Sequence, residues 1–337
     1  MLFVPSEGSR EVNREMVLIL TEKDVYNLLD MKSSVACLER AFREQSEKRF
    51  LMPERQVFKP TEAAVVRIMT ASIPKLDTLG LKVLLGVPAQ RKAGSTYFAA
   101  MLFDPNDASL LAILSAGRLT QLRTGAASAI ATKYLARSSV SSVGILGAGV
   151  QGYGQLEGLV AVSSLKEAVV FDIDEQRVRL FVEKATSELG VKTRQASQLE
   201  ELYQADVLCT ATTSTKPLVL GAKLREGTHL NAIGSNAPNR QEIDHTALQK
   251  SKVFVDDLKQ ALKESGDLII PIKQGVYAPD NIVGELADVV TGKLKGRTKD
   301  TDVTVFKSVG IALEDVAVSR AAYDLARTQG VGREIAF

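Results

Sequence analysis

Two cysteines and two histidines among 337 residues leave little material for several common chemistries. Cys37 and Cys209 cannot build a disulfide framework. Each lies in an apolar context, one helix-like and one strand-like, so buried free thiols are expected rather than a bridge. His229 and His245 belong to no Cys/His cluster, so no zinc or other metal site is expected. Both read as structural, one entering a strand and the other following a turn. An excess of one charge is missing as well: 42 Lys and Arg face 40 Asp and Glu, a net charge of +2. Such a balance makes no field that gathers polyanions, and no basic stripe interleaved with aromatics marks a nucleic-acid surface. Long apolar runs are absent too. No stretch approaches the roughly 18 apolar residues of a membrane span, and the opening Met1-Leu2-Phe3-Val4-Pro5 is too short for a signal-peptide core. The expectation is a cytoplasmic protein with neither a nucleic-acid nor a membrane partner.

What is present is globular: 45% hydrophobic and 24% charged residues, in a chain long enough for about two domains. The stretch that organises it is Ser142-Val143-Gly144-Ile145-Leu146-Gly147-Ala148-Gly149-Val150-Gln151-Gly152. An apolar, β-prone run ends in glycines spaced G-x-G-x-x-G at 147, 149 and 152. The first permits a tight strand-to-helix turn and the second lets backbone approach a pyrophosphate. The third lets the helix pack on its strand, while the helix N-terminus offers free N–H groups. Alone the pattern is weak. Its context strengthens it, because a second apolar run, Ala168-Val169-Val170-Phe171, closes on Asp172. That acid lies 172 − 147 = 25 residues past the first glycine, near the spacing of a carboxylate that holds ribose hydroxyls. Asp174 could serve instead, but Asp172 closes the strand and is preferred. A carboxylate there repels a 2′-phosphate, so NAD is expected over NADP.

In chain order, residues 5–15 read as a loose arm and 16–20 as a short strand. Thr21 with Asp24 resembles a capping box ahead of helices over 22–30 and 34–48. In the second helix Val35, Leu38 and Phe42 recur at helical spacing. Strands are expected over 64–69, 80–85, 97–103 and 110–114, the last two a hairpin about Asp104-Pro105-Asn106-Asp107, giving an antiparallel sheet. A helix over 118–137 carries Gly125-Ala126-Ala127-Ser128-Ala129, small residues that let another backbone come close. From 142 onward, strands (142–146, 168–172, 206–210, near 229–233, 253–256) alternate with helices (150–162, 174–189). That rhythm predicts an α/β fold with a doubly wound parallel sheet. A final helix over 309–328 is expected to return to the first domain.

Several further stretches, taken together, are far more specific than the glycines: Met52-Pro53-Glu54-Arg55, Gly80-Leu81-Lys82, Leu119 to Ser128, Asn231-Ala232-Ile233-Gly234, and Val305-Phe306-Lys307-Ser308-Val309-Gly310. With the glycine motif, and in this order over about 16–330, the chain resembles the ornithine cyclodeaminase/mu-crystallin family. That family also holds NAD-dependent alanine dehydrogenases and cyclic-imine reductases. The resemblance implies a Rossmann domain (138–308) inserted into an α+β substrate and dimerisation domain built from 1–137 and 309–337, in a homodimer. It implies NAD as cofactor, with contacts at Thr96, Arg123, Gly147, Gly149, Val150, Gln151, Gly152, Asp172, Thr213, Asn231, Ile233, Gly234, Arg240 and Ser308. It places Arg55, Lys82 and Arg123 on the substrate carboxylate, with Arg67 and Val309 also at the substrate.

Two departures bear on the reaction. Cyclodeaminases carry an aspartate acid/base where this chain has Asn236, within Gly234-Ser235-Asn236-Ala237-Pro238, and an amide cannot exchange a proton near neutral pH. The resemblance also implies that they grip the distal ammonium of ornithine with a glutamate where Arg67 stands, and a cation there would repel that ammonium. Both changes weaken ornithine cyclisation and leave the shared redox step intact. Lys82, inside the apolar Leu81-Lys82-Val83-Leu84-Leu85, is expensive to bury unpaired. It either snorkels from an edge strand or, in a partly dry cleft with a lowered pKa, relays a proton. The resemblance favours the relay, with the substrate carboxylate as compensating partner. Arg123 could cap a helix or pair with a surface acid, but its place beside a small-residue helix and the resemblance favour a grip on a carboxylate. Arg55 stands between a functional and a surface role. The expected function is an NAD-dependent oxidoreductase, of alanine dehydrogenase or imine reductase type, acting on a small amino, imino or keto acid. The alternatives are ornithine cyclodeaminase and a mu-crystallin-like ligand-binding protein.

Overall fold

The computed structural model describes residues 16–86 and 96–337; the arm expected at 5–15 lies outside them. The first half runs β1 (Met16–Leu20), α1 (Glu22–Leu28), α2 (Met31–Ser46), β2 (Gln56–Phe58), β3 (Val65–Ile73), β4 (Thr78–Gly86), β5 (Thr96–Phe103), β6 (Leu110–Ser115) and α3 (Gly117–Leu135). Thr21 and Asp24 make both halves of a capping box that starts α1. On α2, Val35, Leu38 and Phe42 are buried on one face, against sheet and helix. The predicted hairpin forms, with β5 and β6 antiparallel, and β2 to β6 pair antiparallel in sequence.

One expectation is corrected. The sheet is mixed, because β1 lies parallel to β6. The polar stretch β15 (Arg333–Ala336) then closes the far edge antiparallel to β1, giving the order β15-β1-β6-β5-β4-β3-β2. An edge strand is half solvated and needs no apolar alternation, so neither β2 nor β15 is legible by pattern.

The second half runs β7 (Ser142–Leu146), α4 (Val150–Val162), β8 (Glu167–Phe171), α5 (Glu175–Leu189), β9 (Lys192–Gln195), β10 (Val207–Thr210), β11 (His229–Ala232), α6 (His245–Lys250), β12 (Ser251–Val255), α7 (Leu258–Glu264), α8 (Gly266–Lys273), β13 (Ile282–Glu285), α9 (Leu286–Val290), β14 (Val303–Lys307) and α10 (Ala312–Gln329). Its strands form an all-parallel sheet ordered β13-β12-β14-β11-β10-β7-β8-β9. Alternate residues feed opposite faces: Val207 and Cys209 enter one core, Leu208 the other. That two-sided burial explains the continuous apolar runs. The strand order reverses between β7 and β10, the switch point outside whose carboxyl ends a ligand crevice opens.

Helix α3 joins the halves. A Cβ added to Gly125 would strike the carbonyl of Gly154, and one added to Gly158 would strike that of Gly125, so α3 and α4 pack backbone against backbone. The last helix, α10, begins at Ala312 rather than 309 and packs into the core of α2, α3 and the first sheet. Cys37 and Cys209 are buried and unbridged.

Candidate functional site

The glycine turn is built as its spacing demands. Gly147 sits at φ +108°, and a Cβ there would lie 2.7 Å from the carbonyl of Ala211. Gly152 packs against the carbonyl of Gly147, while nothing lies within 4 Å of where a Cβ of Gly149 would be. The middle glycine therefore opens onto free space at the N-terminus of α4, where unpaired N–H groups face an incoming anion. Asp172, one residue past β8, accepts from the backbone N–H of Ala148 at 2.8 Å and from that of Asp174 at 3.0 Å. It thus ties the second strand's end to the glycine turn. These features fit a dinucleotide.

A few residues away lies a cavity of about 210 Å³, lined by both sheets' elements. Arg67, Met69, Lys82, Leu84 and Phe98 come from the first sheet, and Thr120, Arg123 and Thr124 from α3. Gln151 of α4, Ile233, Asn236, and the turn Ser308-Val309-Gly310 close it from the cofactor side. Arg55 completes a set of four cations on one small space. The side-chain carbonyl of Gln151 is buried there without a partner among the described residues.

Three of the four cations are held by acids, of which Glu314 and Asp315 are fully buried. Lys82 Nζ lies 2.5 Å from Asp315 Oδ1, both side chains being 1% exposed. Arg123 donates to Glu314 at 2.7 Å, and its Nε approaches Asp315 Oδ1 to 3.0 Å as an ion pair without hydrogen-bonding geometry. Arg55 donates to Glu264 at 2.7 Å and to the carbonyl of Gly310. Gly310, at φ +74°, has no room for a Cβ because the guanidinium of Arg123 fills the place. Asp256 locks the same turn. One of its carboxylate oxygens accepts from Ser308 Oγ (2.9 Å) and from the N–H groups of Val309 (2.8 Å) and Gly310 (2.7 Å).

Burial governs the titration of this cluster. It pushes the Lys82 ammonium down to about 8, against the pull of Asp315 and with help from Arg123. It pushes the Glu314 carboxyl up to about 7, against the pull of Arg123. Burial also raises Asp256 and lowers Arg55 and Arg67. Perturbed groups gathered in one cleft mark a reactive site more often than a structural one.

Of the residues expected at the substrate, Arg55, Arg67, Lys82, Arg123 and Val309 all line this cavity, and so does Asn236. Asn236 accepts from Arg240 at 3.2 Å. Lys82 does not snorkel, and its compensating partner is Asp315 rather than a substrate carboxylate alone. The cofactor-side residues divide. Gln151, Ile233 and Ser308 line the cavity, Val150 is exposed as the first residue of α4, and Thr213 is exposed beyond β10 at the switch point. Gly234 spends its N–H on Glu242 at 2.7 Å.

Asn231 does not line this cavity; it is fully buried, its side chain donating to Thr132 at 3.0 Å and meeting His229 at 3.2 Å. Thr96 is exposed opposite Gly86 and does not line the cavity among the described residues. His229 is buried, its pKa pushed down to about 3 by that burial. The acids Asp256, Glu264, Glu314 and Asp315 were not foreseen. The adjacent pair Glu314-Asp315, inside the otherwise apolar Ile311 to Val318, was a readable signal, since such acids stay charged only beside cations.

Known proteins share this fold. The family model described as "Ornithine cyclodeaminase/mu-crystallin family" matches residues 15–330. An alanine dehydrogenase of Archaeoglobus fulgidus is 36% identical over 322 residues, 95% of this chain and 98% of that protein. The structure of Thermococcus litoralis Delta(1)-pyrroline-2-carboxylate reductase with NADH and L-proline superposes with a TM-score of 0.92 at 36% identity, covering 95% of this chain and all of that one. An archaeal alanine dehydrogenase dimer with bound NAD gives 0.90 at 35% identity, covering 96% and 100%. With its glycine turn, its cation-lined cavity and a match over nearly its whole length, this chain belongs to the ornithine cyclodeaminase/mu-crystallin family.

Proposed function

We propose that the chain is an NAD-dependent oxidoreductase that moves a hydride between the nicotinamide and the α-carbon of a small L-amino acid or its imine. The carrying observation is the shared cavity: Gln151, one residue into the helix that the glycine turn begins, faces the same space as Lys82 and Arg123. Relatives of this kind act on alanine and on a cyclic imino acid, and one is solved with NADH and L-proline together. NAD bound at Gly147, Gly149 and Asp172 would supply the hydride acceptor or donor. The chain's own part is to bind, orient and move a proton. Arg55 and Arg123 hold the substrate carboxylate, and Asp315 fixes the Lys82 ammonium at the reacting nitrogen or oxygen. A lysine held near 8 gives up or takes a proton at little cost near neutral pH.

We take 138–308 as the cofactor domain and 1–137 with 309–337 as the substrate and dimerisation domain. A homodimer is supported by Phe58, Leu85 and Tyr97, which stand exposed in one row on the sheet face opposite the cavity. One of the relatives is a dimer. We place the protein in the cytoplasm, a reading that rests on its two unbridged, buried thiols. Ornithine cyclisation is disfavoured by Asn236, whose amide is bonded to Arg240 and cannot titrate.

The test is an absorbance screen of amino acids with NAD, and of keto acids plus ammonia, or cyclic imines, with NADH. Net NADH change with an amino acid or imine is expected. Proline and ammonia formed from ornithine without net NADH would replace the proposal with cyclodeamination. Tight ligand binding with no turnover would replace it with a mu-crystallin-like binding role.

A further inference from the structure

Resting on that reading, we propose that the substrate carries a second acidic group, held by Arg67. Arg67 lines the cavity, half-buried, yet among the described residues it donates no hydrogen bond and joins no ion pair. The acid that acts on it most, Glu264, is already bonded to Arg55. Arg55, Lys82 and Arg123 each hold an acid, Glu264, Asp315 and Glu314, whereas Arg67 holds none among the described residues. A monocarboxylic amino acid enters as a zwitterion and brings no net charge. A diacid brings a second carboxylate, the partner that Arg67 lacks among the described residues.

The sheet register fixes where the second group goes. Val57, Arg67, Leu84 and Phe98 form one cross-strand row, and Met69, Lys82 and Ala100 form the row two residues along on the same face. Arg67 and Lys82 are therefore diagonal neighbours on adjacent strands, about 7–8 Å apart at the backbone. With one carboxylate at Arg55 and Arg123 and the reacting nitrogen at Lys82, the other end of a short diacid comes to lie beside Arg67. Leu84 and Phe98, its neighbours in the row, offer no alternative polar contact there. A planar guanidinium suits a bidentate grip on a carboxylate. The substrate class is an aspartate- or glutamate-like amino acid, or the matching imine.

The experiment compares L-aspartate and L-glutamate with L-alanine and L-proline in the NAD assay, on wild type, Arg67→Met and Arg67→Lys. We expect wild type to favour a diacid in kcat/KM by on the order of 10²-fold, the scale of a charged hydrogen-bonded pair. Arg67→Met collapses that ratio, and Arg67→Lys restores part of it. A ratio unchanged in Arg67→Met, or a wild type that favours monoacids, overturns the proposal. Calorimetry of succinate against butyrate, with NADH present, reads the same preference without turnover. Absent turnover on every amino acid would sink the oxidoreductase reading. Equal binding of succinate and butyrate, unaltered in Arg67→Met, would sink this one.

Discussion

Replacing Lys82 by methionine keeps the aliphatic length and removes the charge, and the structure makes its two consequences separable. Asp315 loses a partner at 2.5 Å while fully buried, and breaking a buried pair in this way typically costs about 3–5 kcal/mol. Here the lower end applies, because Arg123 Nε still lies 3.0 Å from the same oxygen. At about 2.1 cal/mol/K per residue, a 337-residue chain unfolding as one unit loses roughly 1.4 °C in Tm per kcal/mol, so Lys82→Met should melt about 4–5 °C early. The double variant Lys82→Met/Asp315→Asn removes the stranded charge and should recover most of that loss. Catalysis should not follow. Losing a positioned acid/base costs on the order of 10²-fold or more in kcat/KM, and both variants should show that loss with NADH affinity little changed. Differential scanning calorimetry and initial rates on the substrate found in the screen settle it. If the double variant regains activity along with Tm, Lys82 serves folding alone and the relay is wrong.

Further outcomes follow from the same geometry. Burial sets Lys82 near 8, below its ordinary 10.5. Amino acid oxidation, which uses it as a base, should therefore rise with pH and level off above about 8, and imine reduction should fall over the same range. A profile flat through 8 refutes the assignment. By linkage, the depressed pKa gives a stability contribution that is full above 10.5 and is lost as pH falls through about 8. Wild type should prefer NAD, and Asp172→Ser/Ile173→Arg should shift the preference toward NADP, at some cost in cofactor affinity because Asp172 also braces Ala148; wild-type preference for NADP would remove Asp172 from the ribose. Light scattering at micromolar concentration should give twice the chain mass, with Tyr97→Glu shifting it toward monomer. A wild-type monomer would refute the dimer.

How far this was legible in the sequence differs between fold and site, for physical reasons. The parallel sheet announced itself because strands buried on both faces need continuous apolar runs, as in Ser142–Leu146 and Glu167–Phe171. The capping box at Thr21 and the glycine turn were legible because their chemistry is local. Polar edge strands at 192–195 and 333–336 were not, since half-solvated backbone places no demand on the side chains.

The site shows the complementary limit. Lys82 stood out, because a lysine inside an apolar strand is anomalous, while Arg55, Arg67 and Arg123 were singled out by the resemblance. Their partners did not, because Asp315 reaches Lys82 across 233 residues and Glu264 reaches Arg55 across 209, separations over which no periodicity speaks. The desolvation argument still had the right form: an ammonium in that strand demanded a counter-charge. It erred only in naming the substrate as the first to supply it. The same holds for Asn231, whose stretch resembles a cofactor loop and whose amide is satisfied by Thr132 and His229. Sequence pattern can state that a buried polar group must be satisfied. Which group satisfies it is decided by the fold, and at this site that decision leaves Arg67, among the described residues, without an acid of its own.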